Sequence, residues 1–254
     1  MIVLGHRGGR GPGWPAENSL AAFRRALEEG ADGVELDVRL SGSGEPVVVH
    51  DRSLSRMTAG GDCRNVDAVP RSELPALAGG ERIPSLSEAL EVLRGRIVNV
   101  EVKADAPGRL RLVRAVVREL RRAPRAEVVI SSFDPSVVLA FAYLLPAVPR
   151  GMLVGLRTAR LGTALPLAMR RSIAAAHLED GIVHGSRVRR LRAANLRVVT
   201  WTVNEPERAA SLLSLGVHTI ITDRPQAIVD RLAAHLPSVD RSGATVSSQV
   251  TRST

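Results

Sequence analysis

Strand-length apolar runs alternate with amphipathic helical stretches from residue 2 to residue 235, and the alternation closes at a count of eight. Parallel strands cannot be joined by a tight turn and need crossover helices, so this pattern argues for an α/β fold around a parallel sheet. A length of 254 residues is typical of one (β/α)8 barrel and enough to bury a large core. The expected architecture is one barrel domain over residues 1–236. Residues 237–254, rich in Ser, Thr, Gln and Arg, are expected to form a disordered tail.

The first strand, at residues 2–4, leads to a helix over 19–29 that carries Leu20, Phe23 and Leu27 on one face and ends at Gly30. A second strand spans 33–38. A turn at 41–44 and an extra strand at 46–49 then add a small hairpin that a plain repeat lacks. Residues 52–83 scatter glycine and proline without periodicity, which reads as a surface excursion, and Ser85 with Glu88 has capping-box spacing for the next helix. Strands at 97–103, 127–131, 151–155, 173–177, 197–201 and 217–222 complete the set. The intervening helices are expected at 109–122, 135–145, 161–170, 186–194, 206–214 and 225–235, with Asn195 and Gly216 as left-handed stops.

Composition narrows the environment. Aromatic residues are 2% of the chain, so aliphatic side chains must fill the core. Cys63 is the only cysteine, which rules out an internal disulfide and fits a reducing compartment. Met1 runs almost directly into the first strand, leaving no space for a signal peptide, and no apolar stretch approaches the ~20 residues of a membrane helix. A cytoplasmic protein without integral membrane association is expected. The net charge of +9 raises nucleic-acid binding. However, Arg111, Arg114, Arg118, Arg121 and Arg122 alternate with Leu112, Val113, Val116, Val117 and Leu120 at helical spacing, which describes a solvated face. Neither that segment nor the arginine-dense 187–197 has an aromatic on which a base could stack, so no nucleic-acid partner is expected. A cationic surface still draws anionic substrates.

The chemistry sits at strand ends. The first strand runs into His6-Arg7, the second carries Glu35 and Asp37, the extra strand runs into His50-Asp51, and the next carries Glu101 and Lys103. In a parallel barrel those ends converge on the active-site face, and residues two apart in a strand point the same way. Three carboxylates converging there repel one another unless a cation neutralises them, and hard oxygen ligands suit Mg²⁺ or Ca²⁺. Softer metals need more cysteine or histidine than this chain supplies. Taken alone, the Glu35 and Asp37 pair fits a barrel-mouth salt bridge to arginine as well, and a lone histidine at such a place is more often structural. Two histidines flanking an acidic site shift that balance, because diester hydrolysis needs one group to take a proton and another to give one. Arg7 and Lys103 supply fixed positive charge for phosphate oxygens, and Lys103 is the only lysine among 35 lysine and arginine residues. His177, His184, His218 and His235 lack such neighbours and read as structural.

On these residues the chain resembles the glycerophosphodiester phosphodiesterase family. The resemblance runs through Gly5-His6-Arg7-Gly8, Pro15-Ala16-Glu17-Asn18-Ser19, Gly33-Val34-Glu35-Leu36-Asp37, Val49-His50-Asp51, Arg56 with Thr58, Glu101-Val102-Lys103, Ser131-Ser132-Phe133, Trp201-Thr202-Val203-Asn204 and Thr222-Asp223-Arg224-Pro225. It implies a TIM barrel, dependence on one divalent ion, Mg²⁺ or Ca²⁺, and cleavage of small glycerophosphodiesters to sn-glycerol 3-phosphate and an alcohol. By position it implies His6 and His50 as the acid/base pair, Glu35, Asp37 and Glu101 as metal ligands, and Arg7 and Lys103 as phosphate binders. Trp201 becomes a pocket wall, with a core role as the alternative. Glu17, Asn18 and Asp51 support those groups from behind. Ser19 stands where the family usually has threonine, and the glycine-rich loop over 9–14, with Arg10 and Trp14, leaves the choice of leaving alcohol open. The rival readings are a lysophospholipase D and, from another class, a non-enzymatic basic barrel that binds anionic ligands. The oligomeric state stays open.

Overall fold

The computed structural model describes residues 1–122 and 127–235; the tail expected from residue 237 lies outside the described residues. The elements are β1 (Ile2–His6), α1 (Leu20–Glu28), β2 (Gly33–Leu40), β3 (Pro46–Val48), α2 (Leu86–Val92), β4 (Ile97–Val102), α3 (Arg109–Arg122), β5 (Glu127–Ser132), α4 (Pro135–Leu144), β6 (Arg150–Val154), α5 (Ala164–Ala168), β7 (Ala175–Glu179), α6 (Gly185–Ala193), β8 (Arg197–Trp201), α7 (Pro206–Leu215), β9 (Thr219–Thr222) and α8 (Pro225–His235). Strands β1, β2 and β4 to β9 pair in parallel in that order, and β9 returns to β1, so eight strands close a TIM barrel. Strand β3 pairs antiparallel with the end of β2, Val48 opposite Val38, and stands outside the ring.

Local signals set the boundaries. Ser19 caps α1 through Ala22 N–H at 3.0 Å. Ser85 and Glu88 form the full capping box of α2. Asn195 takes a left-handed φ of 59° after α6, and Gly216, at φ 85°, ends α7. Val217 N–H then donates to Leu212 C=O at 3.0 Å, closing the helix end, which is why β9 starts at Thr219 rather than 217. The stretch after β6 also departs from expectation. Residues Leu156–Leu161 wind as 3₁₀ turns and α5 is a single short helix. Ile173 packs in the outer core with Met169, so β7 begins two residues later than the apolar run suggests.

Two layers of aliphatic side chains lie between strands and helices, one under α1 to α4 and the other under α4 to α8. In α3, Leu112, Val113, Val116 and Val117 are buried while the six arginines face outward; each such buried side chain contributes about 1.5–3 kcal/mol. The excursion after β3 has a small core of its own, with Leu54, Val66, Val69, Leu77 and Ile83 packed against Val47 and Val49. It is therefore a packed platform that fixes the chain just beyond β3.

Candidate active site

Register brings the expected groups together at the carboxyl ends of the strands. His6 is the pairing partner of Glu35 across β1 and β2, and Asp37 of Glu101 across β2 and β4. Glu35, Asp37 and Glu101 are buried and each offers an oxygen within 4.8 Å of the others. Lys103 Nζ lies 2.8 Å from Asp37 and 2.5 Å from Glu101. Arg7 Nε lies 3.2 Å from Asp37, without hydrogen-bond alignment.

Three carboxylates against two cations leave negative charge uncompensated, and its cost falls on Glu35 and Glu101. Burial, then repulsion from Asp37 and Glu101, pushes the Glu35 carboxyl well above its ordinary range. Burial also raises Glu101, against the pull of Lys103. Burial opposes ionisation of Asp37 too, but Lys103 and Arg7 outweigh it and hold that carboxyl low. A divalent cation fits this donor set, being hard and able to replace the missing positive charge. Asn18 orients the Asp37 carboxylate, donating to Asp37 Oδ2 at 2.9 Å and accepting from Asp37 N–H at 3.3 Å. Arg7 adopts a left-handed φ of 53°, unusual for a side-chain-bearing residue, and thereby aims its N–H at Glu35 Oε2, 3.1 Å away.

Each histidine has its own carboxylate. His50 Nδ1 bonds Asp51 Oδ1 at 2.6 Å. Its backbone is clamped by buried Arg39, which donates to His50 C=O at 2.7 Å and grips Asp105 with both terminal nitrogens. Burial holds the His50 pKa below its usual value although Asp37 opposes this. His6 Nδ1 bonds Asp223 Oδ1 at 2.7 Å, and His6 Nε2 lies 4.0 Å from Glu35. Asp223 also accepts from Arg10, at 2.9 and 3.0 Å, and from Asn204 at 2.9 Å. Burial works against ionisation of Asp223, but the bonds from His6 and Arg10 outweigh it and keep the carboxyl low.

The two histidine–carboxylate pairs are joined. Arg10 reaches Glu17 at 3.4 Å, Glu17 meets Arg56 at 2.5 Å, and Arg56 holds Asp51. Arg7 also contacts Glu17, at 3.1 Å. Glu17 is thus the hub of an ion-pair chain running from His6 to His50. Asp223, Arg10, Asn204 and Arg39 are the supporting residues that sequence reasoning left without a role. For Asp223 and Asn204 the signal was present, since both lie in quoted motifs just beyond barrel strands.

A cavity of about 230 Å³ opens at this centre, lined among others by His6, Arg7, Glu35, His50, Lys103 and Trp201. Trp201 is a half-buried wall, edge-on to Phe133 with centroids 5.6 Å apart. Of the other histidines, His177 is buried inside the barrel, His184 bonds Ser186 and His218 bonds Thr219. Residues from several strand ends and loops thus converge on one cavity, with His6 and His50 beside a carboxylate cluster.

Comparison with known proteins agrees with this arrangement. Residues 6–227 match the model of the glycerophosphoryl diester phosphodiesterase family. A glycerophosphodiester phosphodiesterase of Caldanaerobacter subterraneus subsp. tengcongensis is 30% identical over 243 residues, covering 90% of this chain and 96% of the relative. A human lysophospholipase D is 26% identical over 90% of this chain and 85% of its own. Among solved structures, an Oleispira antarctica phosphodiesterase in complex with the product sn-glycerol-3-phosphate superposes with a TM-score of 0.83 at 29% identity, covering 92% of this chain and 97% of that one.

Proposed function

The chain belongs to the glycerophosphoryl diester phosphodiesterase family, and from that premise we propose that it hydrolyses small glycerophosphodiesters to sn-glycerol 3-phosphate and an alcohol, using one divalent ion and two histidines. The observation that carries this reading is the buried Glu35, Asp37 and Glu101 cluster lying between two histidines that each hold a carboxylate. Bound by those three residues, Mg²⁺ or Ca²⁺ supplies Lewis-acid polarisation of a phosphoryl oxygen and the missing positive charge. Arg7 and Lys103 add fixed positive charge beside it, and Trp201 forms part of the cavity wall.

The substrate's own glycerol hydroxyl, adjacent to the phosphorylated carbon, is the favoured nucleophile, because a tethered group gains a large effective molarity. His50, held neutral by burial, takes that proton as the oxygen–phosphorus bond forms. His6, hydrogen-bonded to Asp223, gives a proton to the alcohol oxygen as its bond to phosphorus breaks. Water then opens the cyclic phosphate with the roles reversed. Incubation with glycerophosphoethanolamine and Mg²⁺ or Ca²⁺ should release glycerol 3-phosphate, and excess chelator should stop it. Activity undiminished in chelator, with metal content measured as nil, refutes the metal role. A deoxy analogue turning over at a comparable rate excludes the cyclic route.

One observation favours lysophospholipids as a second substrate class. A cavity of about 330 Å³ adjoins the site at His50; its lining combines Trp14, Val49, Met57, Leu77 and Ala78 with the charged Arg10, Glu17 and Arg56, and the apolar part suits a segment of an acyl chain. Hydrolysis of lysophosphatidylcholine faster than glycerophosphocholine would make that the principal reaction. No helix among the described residues is long and apolar enough to cross a membrane. A cytoplasmic setting also fits the exposed free thiol of Cys63.

A further inference from the structure

The mouth of the catalytic cavity is apolar on one side. Leu110, Phe133, Leu156 and Leu161 are each between 46% and 60% exposed. They lie in the segments that leave the carboxyl ends of β4, β5 and β6, successive neighbours in the ring, so all four share the active-site face. They also adjoin one another. Arg109, next to Leu110, lies 3.7 Å from Asp134, next to Phe133. Gly155, next to Leu156, packs so closely that a Cβ on it would lie 3.7 Å from the rings of both Phe133 and Trp201. Leu156 and Leu161 bound a single 3₁₀ segment. The other two phenylalanines, Phe23 and Phe141, are fully buried, so the exposure of Phe133 is a feature of its place. Contiguous apolar patches rimmed by polar groups mark contact surfaces.

The charge on this rim is positive. Arg111, Arg157 and Arg160 are exposed, and their side chains make no ion pair or hydrogen bond among the described residues. The carboxylates of the same arc are engaged: Asp134 with Arg109, Asp180 with Arg208 at 2.8 Å, and Glu179 with Leu156 N–H at 2.7 Å. The arginines interleave with the exposed leucines, as Arg109-Leu110-Arg111 and as Leu156-Arg157-Thr158-Ala159-Arg160-Leu161. Leucine and aromatic tips flanked by arginine suit the boundary of a lipid layer, where the tips insert and the guanidinium groups meet anionic head groups. Phe133 decides between a lipid and a protein occupant. It is exposed and also lines the catalytic cavity, so a protein seated here would close the mouth, whereas a lipid surface presents phosphodiesters to it.

We propose that this rim docks the barrel, mouth first, on an anionic lipid surface. The contact is peripheral, as no helix among the described residues is long and apolar enough to cross a membrane.

The test is co-sedimentation of the full chain with vesicles of equimolar phosphatidylglycerol and phosphatidylcholine, and with vesicles of phosphatidylcholine alone. Binding should be roughly tenfold tighter on the anionic vesicles and should weaken as salt rises. Arg157→Gln combined with Arg160→Gln should weaken it roughly 30-fold, the effect of two arginines near such a surface, and Leu156→Ser combined with Leu161→Ser roughly tenfold. Leu139→Ser combined with Tyr143→Ser changes exposed positions of α4 that lead away from the mouth, and should leave binding unchanged. Turnover of soluble glycerophosphoethanolamine should be the same in all three double variants as in the parent, so a failure of hydrolysis and a failure of docking are read apart. Absence of vesicle binding, equal binding to both vesicle types, or a loss in the Leu139 and Tyr143 variant equal to that in the rim variants would each overturn the proposal.

Discussion

Asp223→Asn isolates the group that no sequence argument assigned. All four contacts to this carboxylate come from donors: His6 Nδ1, two nitrogens of Arg10 and Asn204 Nδ2. An amide has one oxygen, so half of these contacts would face an N–H with an N–H. Asn204 cannot flip to compensate, because its Oδ1 already accepts from Asp223 N–H and Thr222 Oγ1. If the amide nitrogen turns toward His6, the imidazole must move its proton to Nε2. If it turns away, His6 keeps a bond that no longer carries charge. A hydrogen bond to a charged group is worth about 1.5–3 kcal/mol, which converts to about a 10- to 200-fold fall in kcat. KM should change little, since Asp223 does not line the catalytic cavity. Steady-state kinetics on glycerophosphoethanolamine with saturating Mg²⁺ reads the split, and circular dichroism checks folding. A folded Asp223→Asn protein with kcat within twofold of the parent would refute the assignment of Asp223 as the residue that positions His6.

Alanine at His50 or His6 should each lower kcat by ~10²–10⁴-fold, the range for removing a positioned acid or base; two single variants near parental activity would exclude the histidine pair. Lys103→Arg should lose most activity, because a planar fork cannot take the place of an ammonium 2.8 and 2.5 Å from two carboxylates. Retained activity there would show that the lone lysine carries no special role. In metal-free buffer, Glu35→Gln should gain thermal stability on the parent as pH rises above about 4.5, the ordinary glutamate value. The raised Glu35 carboxyl keeps its proton in the folded state, so its contribution is complete below that pH and lost as pH rises toward the folded value. A Tm difference independent of pH from 4 to 8 would contradict the buried-charge account.

Much of the site was legible because strand chemistry is local. Alternation places Glu35 with Asp37 and Glu101 with Lys103 on common faces whatever the neighbours are, and barrel topology collects strand ends at one mouth. Histidine 50 followed by Asp51 could be read as a pair from adjacency alone. Register could not: that His6 faces Glu35 depends on hydrogen bonds between strands. The Arg39 clamp on His50 and Asp105 joins residues 66 apart and leaves no periodic trace. The helix expected over 161–170 failed because a short run containing Gly162 and Pro166 supports 3₁₀ turns and one helix of five residues.

The separation of 217 residues between His6 and Asp223 has a consequence for biosynthesis. During synthesis the carboxylate cluster and His50 are all present once residue 101 has emerged, together with β1, β2 and most of β4, which are neighbours in the finished barrel. The partner of His6 is added only after β9, so this histidine waits for almost the entire chain. A ribosome-stalled chain ending before residue 223 would carry the carboxylate cluster but have His6 unanchored, and the onset of turnover would report the moment the ring closes.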